Sequence, residues 1–299
     1  MRIVSLVPHA TELLFALELG EQVVGVTHEC DHPTEALELP HVTTDRLPGG
    51  LSAAEIDAAV REHTLAGEAI YALDEELLAE LEPDLIVTQA LCAVCAVSFD
   101  DVEKVARRLE SKPKVIALDP KTFGETIGDV KTVAAATGAA QAALRLVAST
   151  ARRVDAVQAA VRGAEPVPVA AIEWLDPVFV AGHWTPQLIE MAGGRDVLGL
   201  PGERSEQVTW ELVAAAEPEV VVCMPCGYDA GRALAEAEAH AKELAALHAR
   251  RVVAIDASST FSRPGPRLVD ALELMAHILH PDLVDEPPGV GGALDVDLA

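Results

Sequence analysis

The sequence predicts an α/β protein built of two lobes of βαβ units joined by a long helical segment, and three observations carry that prediction. Short β-rich apolar runs alternate with alanine- and leucine-rich stretches of helical character, the pattern of a mostly parallel sheet. The alternation is broken once, by a strandless stretch. One helix–turn–strand unit also occurs twice, in the two halves of the chain.

Taken in order, the strand candidates of the first half are Ile3 to Leu6, Val23 to Thr27, Leu85 to Thr88 and Val115 to Leu118. The strandless stretch runs from Phe123 to Val161. Its alanine, leucine and arginine content favours helix, with Gly138 as an internal break and Gly163, Pro166 and Pro168 as the stop. At 1.5 Å per residue, about 40 residues make a strut of roughly 60 Å if continuous. Val167 to Ile172, Val220 to Cys223 and Val252 to Ile255 are the strands of the second half. The expected divisions are an N-terminal lobe at 1–121, a bridging helix at 122–163, a C-terminal lobe at 164–283 and a flexible acidic tail at 284–299, rich in Pro and Gly.

The repeated unit matches Glu76, Leu77, Glu82, Pro83 and Asp84 to Glu211, Leu212, Glu217, Pro218 and Glu219 at a constant offset of 135 residues. Proline ends each helix, and the β-branched run that follows enters a sheet.

Bulk properties narrow the function. The chain has 299 residues, 50% of them hydrophobic, and a formal net charge of -26. Such a surface repels nucleic-acid backbones and anionic membranes. The acid excess reads as an adaptation to high salt or to a GC-rich genome. No run approaches the ~20 apolar residues that span a bilayer. The N-terminus carries no secretory signal pattern, so the expected location is the cytoplasm with reduced thiols, or outside it if a leader has been removed.

The stretches "RIVSLVPHATELLFALELGEQVVGVTHECDHP", "PVFVAGHWTPQLIEMAGGRDVLG" and "TFSRPGPRLVDAL", with the two Glu-Pro units and the long middle helix, resemble the cobalamin and iron-siderophore binding proteins of ABC importers, the cobalamin branch above all. The likeness runs from Arg2 to Leu279. It implies two Rossmann-like lobes bridged by a rigid helix, a ligand cleft between them, a corrinoid or similar metal chelate as ligand, and an ABC permease as partner. The loops it matches contain Pro8, His9, Cys30, Trp174, His183, Trp184, Phe261 and Arg263, and Tyr228 is a further candidate for ligand contact. Glu76 and Glu211 fall where the family places its transporter-docking glutamates. The chain departs from the family pattern in an insertion ahead of Glu76 and in its cysteines.

Those five cysteines raise a rival reading. Cys92 and Cys95 follow one strand, Cys223 and Cys226 close another, and Cys30 follows a third, all toward carboxyl ends of strands, where doubly wound sheets collect ligands. Paired thiols at this spacing suit zinc or an iron-sulfur cluster, or redox turnover in a cytoplasmic thiol protein. Plain packing accounts for them equally well, and a disulfide in each pair would fit an exported version. His9, His28, His32 and His183 offer an axial imidazole to a bound metal. Arg263 offers a charge for an anionic ligand group. No nucleophilic triad, phosphate-cradling glycine loop or catalytic carboxylate pair emerges, so binding without bond-making is expected.

Overall fold

A computed structural model describes residues 1–66, 69–90 and 97–298. The chain divides into two units, one of residues 1–120 and 125–147, the other of residues 121–124 and 148–299.

In chain order the first unit holds β1 (Ile3–Ser5), α1 (Pro8–Ala16), β2 (Val23–Gly25), β3 (Thr43–Asp45), α2 (Ala53–Ala66), β4 (Tyr71–Leu73), α3 (Glu75–Glu80), β5 (Leu85–Gln89), α4 (Phe99–Arg108) and β6 (Lys114–Leu118). Its main sheet is parallel throughout, in the order β2-β1-β5-β6. Alternation along the strands sorts the core into two layers. Ile3, Leu85 and Val87 pack with Leu13, Leu14 and Val133 on one face, while Val4 and Ile86 pack with Leu78, Val102 and Val105 on the other. The insertion ends in β4, which pairs antiparallel with β3 just ahead of the insertion, Thr43 opposite Leu73.

The strandless stretch is two helices, α5 (Phe123–Thr137) and α6 (Ala140–Ala160). Gly138 parts them at φ 78, a left-handed conformation that glycine adopts without penalty. Val130, Val133 and Ala134 of α5 and Ala142 and Ala143 of α6 belong to the first unit's core. The division falls between Val147 and Ala148, inside α6, so the helical stretch is shared out instead of standing alone. Further along α6, Arg153 donates from Nε and Nη2 to the two carboxylate oxygens of Glu273, at 2.7 and 2.6 Å, and pairs with Asp270 as well.

The second unit continues with β7 (Val167–Leu175), β8 (Val178–Val180), α7 (Thr185–Met191), β9 (Gly194–Asp196), β10 (Glu206–Gln207), α8 (Trp210–Ala215), β11 (Val220–Cys223), α9 (Ala230–Ala239), α10 (Ala241–Ala245), β12 (Arg251–Ala254), α11 (Leu268–Leu279) and β13 (Leu294–Asp295). The order is β10-β8-β7-β11-β12-β13, with β9 also on β7. β7, β11 and β12 form a parallel centre, and β8 and β13 add antiparallel neighbours.

Two expectations change here. The tail from 284 onward is not simply loose: β13 lies along β12, Val296 donates to the Val252 carbonyl at 3.0 Å, and Arg251 reaches Asp295 at 2.8 Å. Val296 and Leu298 pack on the core, and that apolar cover lets so short a strand persist. The repeated unit, for its part, acquires a structural basis. In both copies the N-cap side chain, Asp74 or Thr209, accepts from the backbone N–H three residues on. Both helices then end at a left-handed glutamate, Glu82 at φ 41 and Glu217 at φ 49.

Candidate functional site

Of the described candidates, Cys30, Tyr228, Phe261 and Arg263 lie on loops after parallel strands, Pro8 and His9 in the first turn of α1, Trp174 within β7, and His183 and Trp184 just ahead of α7; the carboxyl end of parallel strands is the face where open α/β sheets carry their sites. In the first unit, β1 runs into α1 with Pro8 at the first helical position and Val7, which supplies no side-chain cap, ahead of it. His9 is buried beside it. Cys30, on the loop after β2, is buried too, and its sulfur lies 3.0 Å from Thr11 Oγ1 and 3.4 Å from Thr27 Oγ1. Thr11 in turn donates to Ser5 Oγ at 2.8 Å. This hydroxyl–thiol network ties the ends of β1 and β2 to α1. Cys30 therefore holds the loop from inside rather than presenting its thiol.

The same loop carries His28, one of the candidate imidazoles, and Glu29, which sequence reasoning left out of the site. Tyr71 of β4 packs its ring on His28, centroids 5.3 Å apart, and donates its hydroxyl to Glu29 Oε1 at 3.0 Å. Tyr71 had no signal of its own, because it sits in the insertion and reaches the loop only through the β3–β4 pairing.

In the second unit the strand-end loops are bonded into one rim. Met224 N–H donates to the Ile172 carbonyl and Cys226 N–H to that of Glu173, at 2.8 and 3.1 Å. Ser258 N–H donates to the Tyr228 carbonyl at 3.2 Å, and Gly227 N–H to Ser262 Oγ at 3.4 Å. Trp174 is half-buried and meets the edge of Tyr228 at 5.5 Å. The Arg232 guanidinium lies 3.7 Å over the Tyr228 ring. Burial pushes the Tyr228 hydroxyl above its ordinary range. Arg263 is half-buried on the loop leading to α11.

Several expected ligand contacts are buried and bonded within the second unit. Trp184 is 6% exposed and donates Nε1–H to the Phe261 carbonyl at 2.8 Å, while Phe261 is itself 2% exposed. Neither ring offers a free face for stacking. Tyr228 is likewise buried, its ring flanked by Trp174 and Arg232. His183 is half-buried at φ 52, held left-handed by its own N–H bond to the Glu203 carbonyl and by Gly202 N–H on its carbonyl.

The thiol reading finds no support where it can be followed. Cys223 is the last residue of β11, fully buried between Ile172 and Ala254, and burial raises its thiol to about 12. A thiol so disfavoured as thiolate is a poor metal ligand or redox group. Cys226, by contrast, is exposed. Cys92 and Cys95 lie outside the described residues. Among the described residues no group of three or more His, Cys, Asp or Glu side chains is placed to hold a metal, which leaves zinc and an iron-sulfur cluster without support. Likewise, no described helix is long and apolar enough to cross a membrane.

Two α/β units, each built on a parallel sheet core, define the scaffold, and comparison with known proteins gives that scaffold its family. Residues 3–258 match the periplasmic binding protein family, and the chain belongs to it. The chain is 22% identical over 277 residues to the vitamin B12-binding protein of Vibrio cholerae, covering 91% of this chain and 86% of that one. The crystal structure of the V. cholerae B12-binding protein superposes with a TM-score of 0.68, covering 94% of this chain and 96% of that one at 22% identity. A periplasmic heme-binding protein from Roseiflexus sp. RS-1 gives 0.64, covering 91% and 94% at 26% identity.

Glu76 and Glu211 are exposed at the second position of α3 and α8, in matching local settings.

Proposed function

We propose that the chain is the substrate-binding component of an ABC importer and carries a corrinoid or a related metal chelate. The observation that supports this most is family membership over residues 3–258, joined to strand-end loops built as bonded rims in both units. The named relatives bind vitamin B12 or heme, both flat metal macrocycles, so the ligand class follows theirs. The work is binding without bond-making, as in the family at large. It takes place outside the cytoplasm, in keeping with the periplasmic relatives and against the cytoplasmic location the N-terminus led one to expect. Glu76 and Glu211 are the proposed docking points for a permease, on the support of their matched, exposed placement.

Titration of the full chain with cyanocobalamin, dicyanocobinamide and hemin tests the reading, followed by tryptophan fluorescence and visible absorption. Half-buried Trp174 is the expected reporter, and saturable quenching by one of the three at micromolar concentration is the expected result. No binding by any of them overturns it.

A further inference from the structure

The loop after β2 contains a hydrogen-bond pattern that selects between the two neutral tautomers of a histidine. Thr43, first residue of β3, is 2% exposed. Its Oγ1 lies 3.2 Å from the backbone N of His28 and 2.8 Å from His28 Nδ1. The backbone N–H can only donate, so the hydroxyl oxygen accepts it. That leaves the hydroxyl's own proton to place. Among the described residues Nδ1 is the one further partner bonded to that oxygen.

If Nδ1 carried the ring proton and donated it, the buried hydroxyl proton would be stranded, which buried polar groups rarely tolerate. The consistent arrangement has Thr43 Oγ1–H donating to an unprotonated Nδ1. The proton of the neutral ring then sits on Nε2. Tyr71 against the ring and its hydroxyl on Glu29 Oε1 keep the imidazole in place. Nε2 has no protein partner among the described residues and is not among the buried unpartnered atoms, so it opens to solvent at the strand-end side of the first unit.

We propose that His28 contacts the ligand as an Nε2–H donor to an oxygen on the ligand's periphery, an amide carbonyl or a carboxylate, and not as an axial donor to its metal. A metal would need a lone pair on Nε2, which this tautomer does not offer. Thr43 is the positioning residue that selects the tautomer. The contact rests on the chelate-binding reading above; the tautomer stands on the geometry of the first unit alone.

Long-range proton–nitrogen NMR correlations of the nitrogen-15-labelled, unliganded full chain test the tautomer, with His28→Gln identifying the signals. The expected pattern is protonated Nε2 with bare Nδ1, and Thr43→Val is expected to weaken that preference. Nδ1 protonated in the unchanged protein overturns the inference. The contact is read by titrating dicyanocobinamide, aquocobalamin and hemin into the unchanged protein, His28→Ala and His28→Gln. For whichever chelate binds, loss of one hydrogen bond is expected to weaken His28→Ala about tenfold, with His28→Gln, which keeps an N–H donor, in between. The visible bands of the bound metal are expected to be the same in all three. Unchanged affinity in His28→Ala, or metal bands that depend on His28, overturns the contact. If the unchanged protein binds none of the chelates, the functional reading itself fails, and the contact with it.

Discussion

Asp129 of α5 shows what one unpartnered carboxyl does. Its Oδ2 is buried without a hydrogen bond. Burial, then the charges of Asp119 and Glu125, raise it from 3.8 to about 7. The folded chain thus holds this proton more tightly than the unfolded chain, so the stabilisation is complete below pH 3.8 and is lost as pH rises through about 7. Asp129→Asn is expected to be the more stable protein at pH 8, by about 1 kcal/mol once partial solvent screening is allowed for, and to flatten that part of the profile; melting curves from pH 4 to 8 check it. Trp184→Phe leaves the buried Phe261 carbonyl without its donor, and denaturant unfolding is expected to show a loss of about 1–3 kcal/mol. At this scale the sequence was a partial guide. It placed Cys30 after β2 and Cys223 at the end of β11, but residue type does not reveal whether a side chain faces the core or the solvent. His28, Thr43 and Tyr71 meet through strand pairing across the insertion, a relation that spacing along the chain does not encode.

The helices and parallel strands were the most legible elements, because each buried strand is a run of β-branched residues and the break at Gly138 is visible as a glycine in an alanine-rich helix. The short peripheral strands were not. β3, β4, β8, β9, β10 and β13 each span only two or three residues, too few for an alternating pattern to stand out. Arg153 is the element-scale fastening of α6 to α11. Arg153→Ala leaves Asp270 and Glu273 facing each other unpaired, with an expected cost of about 2 kcal/mol by urea unfolding. Removing the residues from 290 onward strips β12 of its edge partner and uncovers the core beneath Val296 and Leu298. An uncovered edge invites pairing between chains, so light scattering is expected to show association that the full chain lacks.

Over the whole molecule, the formal charge of -26 opposes compactness through self-repulsion, which dissolved salt screens within about 10 Å at 0.1 M. Raising sodium chloride from 0.05 to 1 M is expected to lift the melting temperature by several degrees; a flat response would remove the high-salt reading of the composition. The two-unit plan was legible because the Glu-Pro device appears twice in the chain, and the structure explains the likeness by giving both copies the same cap, helix and left-handed exit. That likeness makes the polypeptide its own control. Glu82→Gly and Glu217→Gly relieve the same backbone cost, about 1 kcal/mol each, at sites 135 positions apart. Any difference between the two thermal shifts then measures what the surroundings of each copy contribute, with local chemistry cancelled out.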